Sequence, residues 1–280
     1  MALPAYLTKS EIFSYYALRV FVGLVLLFLI APILAIMPLS FNSETFFSYP
    51  MPGFSTRWYI GGNDGFFTNP RWTDAVKLSV IVAVATTCLA TCLGTLAALG
   101  LSRSNIPGRA AIMAVLISPM IVPVIISAIG LFFFYAFTGL NGTLVGIILA
   151  HTALATPFVV ITVTATLMSF DRTLMRAGAS LGARPDTVFF KIIMPLILPG
   201  VISGALFAFV TSFDEVVVVL FIGGPEQRTL PRQMFAGIRE QISPTITAAA
   251  SVLIVFSTIL LVTVELLRRR GERLRGIRPG

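Results

Sequence analysis

Two adjacent carboxylates, Asp214 and Glu215, lie inside a long apolar run of this 280-residue chain. An ionised side chain at the centre of a membrane helix costs about 2.5–3.5 kcal/mol on insertion scales, so a position facing lipid is disfavoured. Two interpretations follow. The carboxylates either attract a cationic solute or form an ion pair with an arginine of the following segment, for which the candidates are Arg228, Arg232 and Arg239.

The two carboxylates cannot both face one target if a helix continues through them. Adjacent positions of an α-helix diverge by about 100°. One arrangement places Asp214 on a solute path and Glu215 against a neighbouring helix or a partner chain. The sequence leaves this assignment open, and both residues are candidate solute-path residues.

Other reactive residue types are scarce in the chain. It has one histidine, His151, and two cysteines, Cys88 and Cys92, four positions apart. Neighbours on one helix do not meet disulfide geometry, and a metal site needs several ligands. We therefore expect no metal site and no catalytic residue, and we predict that His151 is a packed or pore-lining side chain without ligand duty.

The elements that must position these residues are membrane helices. The composition is 56% hydrophobic and 11% charged, against about 25% charged residues in an ordinary globular domain. A hydrocarbon core of about 30 Å requires about 20 apolar residues in a helix. The chain is predicted to be an all-α polytopic membrane protein, with a single transmembrane domain over 1–280 and six spans at 20–39, 78–101, 110–137, 144–168, 196–222 and 246–267.

Three prolines, Pro119, Pro123 and Pro157, lie inside the third and fourth predicted spans. A proline frees a backbone carbonyl, which a neighbour or water must satisfy. We expect these two helices to be interrupted and to face protein or a cavity.

The net charge of +8 reflects how the chain is oriented across the membrane. If the N-terminus is cytoplasmic, the cytoplasmic segments carry nearly all of the positive excess, so the positive-inside rule predicts that both termini are cytoplasmic. The basic tail after residue 267 lacks the interleaved aromatic residues of a nucleic-acid-binding segment. Nucleic acid is therefore not an expected partner.

The extracytoplasmic stretch 40–77 is too short to fold as a catalytic domain with its own core, which needs about 40 residues or more. Its many aromatic residues favour either the headgroup level of the membrane or a docking surface for an extracytoplasmic partner, and both can hold. These residues are Phe46, Phe47, Tyr49, Trp58, Tyr59, Phe66, Phe67 and Trp72.

The cytoplasmic loop 169–195 has the clearest local pattern in the sequence. It predicts a short helix over 173–181, a break at Gly182-Ala183, and a second helix with Pro185 in its first turn. We expect Pro195 to end that second helix. The small residues of the first helix would let another protein approach its backbone, on a face formed by Ala177, Gly178, Leu181 and Gly182.

This loop resembles the EAA loop of permease subunits of bacterial ABC importers, which reads Glu-Ala-Ala, then Leu-Gly-Ala, then Ile-x-Leu-Pro. The departures are Arg176 for Glu, Gly178 for the second Ala and Met194 for Leu. The resemblance implies that the loop receives an ATPase subunit, and the inverted charge implies a reciprocal change in that partner or the loss of an ion pair. The positions carried over as ATPase-coupling residues are Arg176, Ala177, Gly178, Leu181, Gly182, Ala183, Ile192 and Pro195.

Three further segments are similar to the second permease of spermidine/putrescine-type importers: Ser40-Phe41-Asn42, the stretch 53–59, and the stretch 212–225 followed by Thr229-Leu-Pro231. This resemblance implies the type I ABC importer permease fold in the bacterial inner membrane. It also implies that the chain forms half of the path of a polyamine or a related small cationic solute.

The expected partners are a second permease subunit, cytoplasmic ABC ATPase subunits and a periplasmic solute-binding protein. ATP and Mg²⁺ would bind to the ATPase subunit, because this sequence contains no Gly-x-x-x-x-Gly-Lys-Ser/Thr phosphate loop. Two other classes stay open: an ion-coupled secondary transporter, which is often built from repeats that are not clear here, and a non-transporting membrane scaffold.

Overall fold

The structure is a computed structural model that describes residues 8–48, 50–102, 106–168, 173–240 and 243–274. Its elements in these ranges are helical, which confirms the all-α prediction, and the described residues form one isolated β-bridge but no strand. In chain order the helices are α1 (Lys9–Leu39), α2 (Arg57–Ile60), α3 (Pro70–Leu101), α4 (Arg109–Ile121), α5 (Val124–Thr138), α6 (Leu144–Met168), α7 (Thr173–Ser180), α8 (Pro185–Val188), α9 (Met194–Asp214), α10 (Val217–Ile222), α11 (Leu230–Glu240) and α12 (Pro244–Leu274), with a π-helical turn (Phe189–Ile193) between α8 and α9.

In the described part of the chain, five helices are long and apolar enough to cross a membrane, and α4 with α5 makes a sixth span if this bent pair counts as one. The polytopic prediction is confirmed. Two helices start earlier than the apolar runs that predicted them, at Lys9 and Pro70. Helical hydrogen bonding continues into the polar flanks, and Thr8 and Glu11 form a capping box at the start of α1.

The third predicted span is not one helix. α4 and α5 meet at an angle of 103°, and Val122 between them is extended, with φ −70° and ψ 132°. The cause is local, because the residue before Pro123 is pushed out of the helical region. Pro157, by contrast, is buried within a continuous α6, so the expected interruption of the fourth span is wrong.

The contacts divide the chain into two compact units, which are described separately. The first contains residues 1–69 and 240–256. Its two chain segments are joined by a hydrogen bond in which Thr245 Oγ1 donates to the Asp64 carbonyl at 2.9 Å. No residue of α1 is buried.

The aromatic residues of the first unit differ in how far they are buried, and Tyr59 is half-buried. Trp58 and Phe66 are buried, and Trp58 Nε1 donates to the Asn42 carbonyl at 2.6 Å. Phe46 and Phe67 are exposed, while Tyr49 lies outside the described residues. The buried group builds the local fold, so only the exposed group is available to lipid headgroups or to a partner.

The second unit contains residues 70–239 and 257–280 and has α3, α6 and α9 at its centre. Val159 of α6 lies between two glycines. A Cβ atom on Gly94 of α3 would lie 2.7 Å from Val159 Cβ, and one on Gly204 of α9 would lie 2.9 Å from Val159 Cα. Small residues therefore bring the three helices into close contact, as is usual between membrane helices.

A second hydrophobic cluster of this unit joins α5 and α10 to α3 and α6. It contains Tyr135, Ile147 and Val218. The end of α10 is fixed as well, because the Gly142 backbone N–H donates to the Ile222 carbonyl at 2.8 Å. These contacts position the residues on the α10 side of the break that follows α9.

Candidate solute-path and coupling sites

The coupling segment, residues 173–195, contains the break that the sequence predicts. α7 ends in a Schellman motif, in which the Ala183 N–H donates to the Gly178 carbonyl at 3.1 Å and the Gly182 N–H to the Ala179 carbonyl at 3.0 Å. Gly182 has φ +78°, a conformation that costs other residues about 1–2 kcal/mol. The backbone conformation of this chain therefore favours glycine at position 182, without any contribution from a partner protein.

Gly178 does not belong to an exposed face. It is buried, and a Cβ atom there would lie 2.7 Å from Ile192 Cδ1 and 3.4 Å from Val188 Cγ2. The prediction that four small or apolar residues of α7 form one exposed face is wrong at this position. The missing side chain lets α7 pack against α8 and the π-helical turn, where Ile192 is half-buried.

The remaining predicted coupling residues are largely accessible, while residues 169–172 of the loop lie outside the described residues. Leu181 is 89% exposed, and Ala183 is half-buried. Within the described residues, Arg176 forms no ion pair. We define the coupling surface as the four exposed residues Arg176, Ala177, Leu181 and Gly182.

Pro195 does not end the second helix of the segment, contrary to the prediction. The helix continues from Pro185 to Asp214. The π-helical turn explains this, because the Met194 N–H donates to the carbonyl of Phe189, five residues earlier. The wider turn places Pro195, which is exposed, in the first turn of α9, where a missing N–H is tolerated.

A mainly apolar cavity of about 820 Å³ lies between the coupling segment and the ends of α3 and α6. The lining residues are Leu96, Leu99, Gly100, Ser102, Leu167, Met175, Ala179, Ala183, Pro185, Val188, Phe189 and Ile193.

The two candidate carboxylates lie at a break between helices, and the predicted continuous helix over 196–222 is wrong. α9 ends at Asp214, Glu215 is extended with φ −73° and ψ 118°, and α10 begins at Val217. Glu215 Oε1 accepts a hydrogen bond from the Val218 N–H at 3.0 Å. That N–H belongs to the first turn of α10 and has no helical partner, so Glu215 caps α10.

Asp214 is exposed on this chain, and Glu215 is half-buried. Nearby arginines are engaged elsewhere: Arg232 donates to the Gly224 carbonyl at 2.6 Å, and Arg228 donates to a carbonyl of its own loop. Burial, and secondarily the charge of Arg228, lowers the pKa of Arg232. In the part of the chain that the structure describes, neither carboxylate forms an ion pair with Arg228, Arg232 or Arg239.

A buried polar pair near the end of α9 was not predicted. His151 Nδ1 of α6 lies 2.9 Å from Ser212 Oγ of α9, and both residues are less than 5% exposed. His151 Nε2 is buried with no hydrogen-bond partner among the described residues. His151 and Ser212 are far apart in sequence, so their contact could not be predicted from a local pattern. The sequence shows only that each of two apolar helices contains polar side chains.

Comparison with known proteins places the chain in a family. Residues 90–273 match the family described as binding-protein-dependent transport system inner membrane component. The chain is 32% identical to the spermidine/putrescine transport system permease protein PotC of Haemophilus influenzae over 92% of this chain and 98% of that protein. It is 33% identical to the putrescine transport system permease protein PotI of Escherichia coli K12, over 81% and 82% of the two chains.

The fold is similar to that of a bacterial ABC transporter involved in the import of the acidic polysaccharide alginate. The TM-score is 0.72 with 14% identity, and the match covers 95% of this chain and 99% of that chain. These findings support neither a secondary transporter nor a scaffold. The chain belongs to the inner membrane components of binding-protein-dependent transport systems, and it is a multi-pass permease subunit with the type I ABC importer permease fold.

Proposed function

We propose that this chain forms half of the solute path of an ATP-driven importer for polyamines, and that Asp214 is its path carboxylate. The observation that carries the proposal is an exposed carboxylate at the end of an apolar span, which forms no ion pair with any residue that the structure describes. An anion in a membrane span faces a water-filled path or is paired with a positive charge. A cationic solute supplies this charge during its passage.

The electrostatics of α9 add to this requirement. The C-terminal end of a helix carries a partial negative charge that favours a nearby cation. The last turn of α9 has no basic residue and ends in the acidic Asp214. The carboxylate and the helix end thus act in the same direction and attract an ammonium group.

Glu215 has a different role in this proposal. Its side chain caps α10 through the Val218 N–H and so maintains the break that exposes Asp214. Of the two adjacent acidic residues, Glu215 therefore shapes the path and Asp214 attracts the solute. The names of the relatives, which are spermidine/putrescine and putrescine permeases, favour a polyamine as that solute.

The first experiment compares Asp214→Asn with Asp74→Asn in a complex reconstituted into proteoliposomes with the cognate permease, ATPase and binding protein. Asp74 is an exposed carboxylate paired with Lys77 at 3.0 Å and serves as the matched control. Uptake of radiolabelled spermidine should fall roughly 10- to 100-fold for Asp214→Asn, the range for a hydrogen bond to a charged group. Normal uptake by an assembled Asp214→Asn complex would refute the path role.

The partners follow from the same proposal. A second permease completes the path, a periplasmic binding protein delivers the solute, and ABC ATPase subunits bind ATP and Mg²⁺ in the cytoplasm. Nucleotide-driven closure of the ATPases moves the coupling segment and the spans attached to it. In this proposal both termini and the coupling segment lie in the cytoplasm, and ATP is hydrolysed on the ATPase subunits.

A second experiment tests the coupling surface with Leu181→Ser. Leu181 is 89% exposed, so its truncation leaves the packing of this chain intact while it removes an apolar anchor for the ATPase. Phe137→Ser is the control, because Phe137 is 92% exposed and lies outside the coupling surface. We expect co-purification of the ATPase to weaken at least about tenfold for Leu181→Ser, the factor for losing one buried leucine side chain; equal recovery with both variants would exclude Leu181 from the interface.

A further inference from the structure

We propose that His151 is a positioning residue of the solute path, which acts through its hydrogen bond to Ser212. The bond holds the last turn of α9 from its buried side and thereby fixes Asp214 on the opposite side. This inference rests on the proposed function, because it concerns how the path carboxylate is presented.

The helical geometry connects the two residues. Ser212 and Asp214 are two positions apart, which is about 200° around an α-helix. Ser212 is 4% exposed, whereas Asp214 is exposed. Holding Ser212 against α6 therefore turns the Asp214 side chain away from the packed core of the second unit.

The end of α9 needs such support. Among the described contacts, the backbone N–H of Glu215 makes no return hydrogen bond to the last turn of α9, whereas the corresponding residues after α4 and α5 do. A turn without such a cap frays more easily. The start of α10 is held by Glu215 and Val218, and the His151–Ser212 bond supplies the equivalent restraint on the α9 side.

The second ring nitrogen of His151 shows that the side chain is not simply filling space. Nε2 is buried without a partner in the described part of the chain, which is unfavourable for a polar atom. An apolar residue of similar size would fill the site without that penalty. The hydrogen bond between Nδ1 and Ser212 Oγ, at 2.9 Å, is an interaction that an apolar residue could not make.

Amide substitutions separate the two ring nitrogens. The Asn side-chain nitrogen overlays the Nδ1 position, and the Gln nitrogen overlays the Nε2 position. In the reconstituted complex, His151→Phe and Ser212→Ala should each lower radiolabelled spermidine uptake roughly fivefold, the factor for one buried hydrogen bond. His151→Asn should restore most of the uptake, and His151→Gln should not.

The double variant provides a readout that general destabilisation would not give. His151→Phe with Ser212→Ala should be no worse than either single variant, because both remove the same bond. Multiplying effects would overturn the proposal, as would rescue by Gln instead of Asn. Thr152→Val is the control, since it removes a neighbouring buried hydroxyl of α6 that donates to the Ile148 carbonyl, and its uptake should match the wild type.

The outcomes keep the two proposals apart. If the wild-type complex does not transport spermidine, the proposed function fails. If the wild type transports spermidine, Asp214→Asn does not, and His151→Phe is normal, only the positioning role fails. Should His151→Phe not assemble, Ser212→Ala and the Asn and Gln pair carry the same test.

Discussion

Helical structure is interrupted at Gly182 and again at Glu215, and the two interruptions are built differently. At Gly182 the backbone closes on itself through two Schellman hydrogen bonds, and Gly178 packs α7 onto Val188 and Ile192. At Glu215 the side chain accepts a hydrogen bond from the Val218 N–H and so caps the start of α10. Asp214, the last residue of α9, keeps an exposed carboxylate without an ion pair in the described part of the chain.

This difference separates two kinds of site. The first break closes its backbone with two hydrogen bonds and leaves Leu181 exposed next to polar residues, as an apolar side chain that a partner protein could bury. The second leaves a charge unsatisfied, as a transient cation site requires. Variants that damage the first should uncouple ATP hydrolysis from transport, and variants that damage the second should impair solute passage while ATPase binding persists.

The largest effect on the first break is expected from Gly178→Leu. A Cβ atom there already lies 2.7 Å from Ile192 Cδ1, and overpacking costs about 1–3 kcal/mol. α7 should detach, and ATPase co-purification and uptake should both be lost. Gly23→Leu is the control, because Gly23 lies on α1, away from the coupling segment, and a Cβ atom there meets nothing within 4 Å; if the two variants behave alike, the inward packing of α7 does not matter for coupling.

An intermediate effect is expected at the second break from Glu215→Ala. The Val218 N–H would lose its acceptor, at a cost of about 1 kcal/mol for a lost cap. Spermidine uptake should fall roughly fivefold with ATPase co-purification unchanged. Glu215→Gln keeps the carbonyl acceptor and should transport nearly as well as the wild type; a loss as large with Gln as with Ala would show that the charge of Glu215 is required.

The smallest effect on transport is expected from Gly182→Ala, which strains the backbone of an exposed turn but removes no side-chain contact. The residue has φ +78°, and the added Cβ atom meets nothing within 4 Å, so the change is limited to a backbone cost of about 1–2 kcal/mol. Trypsin should cleave faster after Arg176, which lies on the helix that Gly182 ends. Asn tolerates this conformation better than Ala, so Gly182→Asn should be cleaved more slowly than Gly182→Ala; identical digestion of both variants and the wild type would argue against the strain.

The sequence predicted the first break better than the second for a physical reason. Glycine at the end of α7 and Pro185 in the first turn of α8 are local signals, and their effect does not depend on distant residues. The break at Glu215 depends on a capping contact to Val218 and on packing of α10 against α5 and α6. The cap has no glycine or proline signal, and the packing partners are distant in sequence.

Other features escaped prediction for the same reason. The burial of Gly178 depends on Ile192 and Val188, which lie on the next helical elements. The His151–Ser212 bond joins residues on two helices. The apolar runs predicted the existence of the spans, because span length reflects membrane thickness alone. The prolines predicted the interruption of the third span but not its angle of 103°.

The most direct test of the account compares Asp214→Asn with Glu215→Gln in one proteoliposome assay of radiolabelled spermidine uptake. The two variants remove one negative charge each from adjacent positions, and Gln still provides the acceptor for the Val218 N–H. We predict that uptake falls at least about tenfold in Asp214→Asn, as expected for a contact with a charged group. In Glu215→Gln, uptake should stay close to that of the wild type. Equal losses, or a larger loss with Glu215→Gln, would contradict the assignment of Asp214 as the path carboxylate.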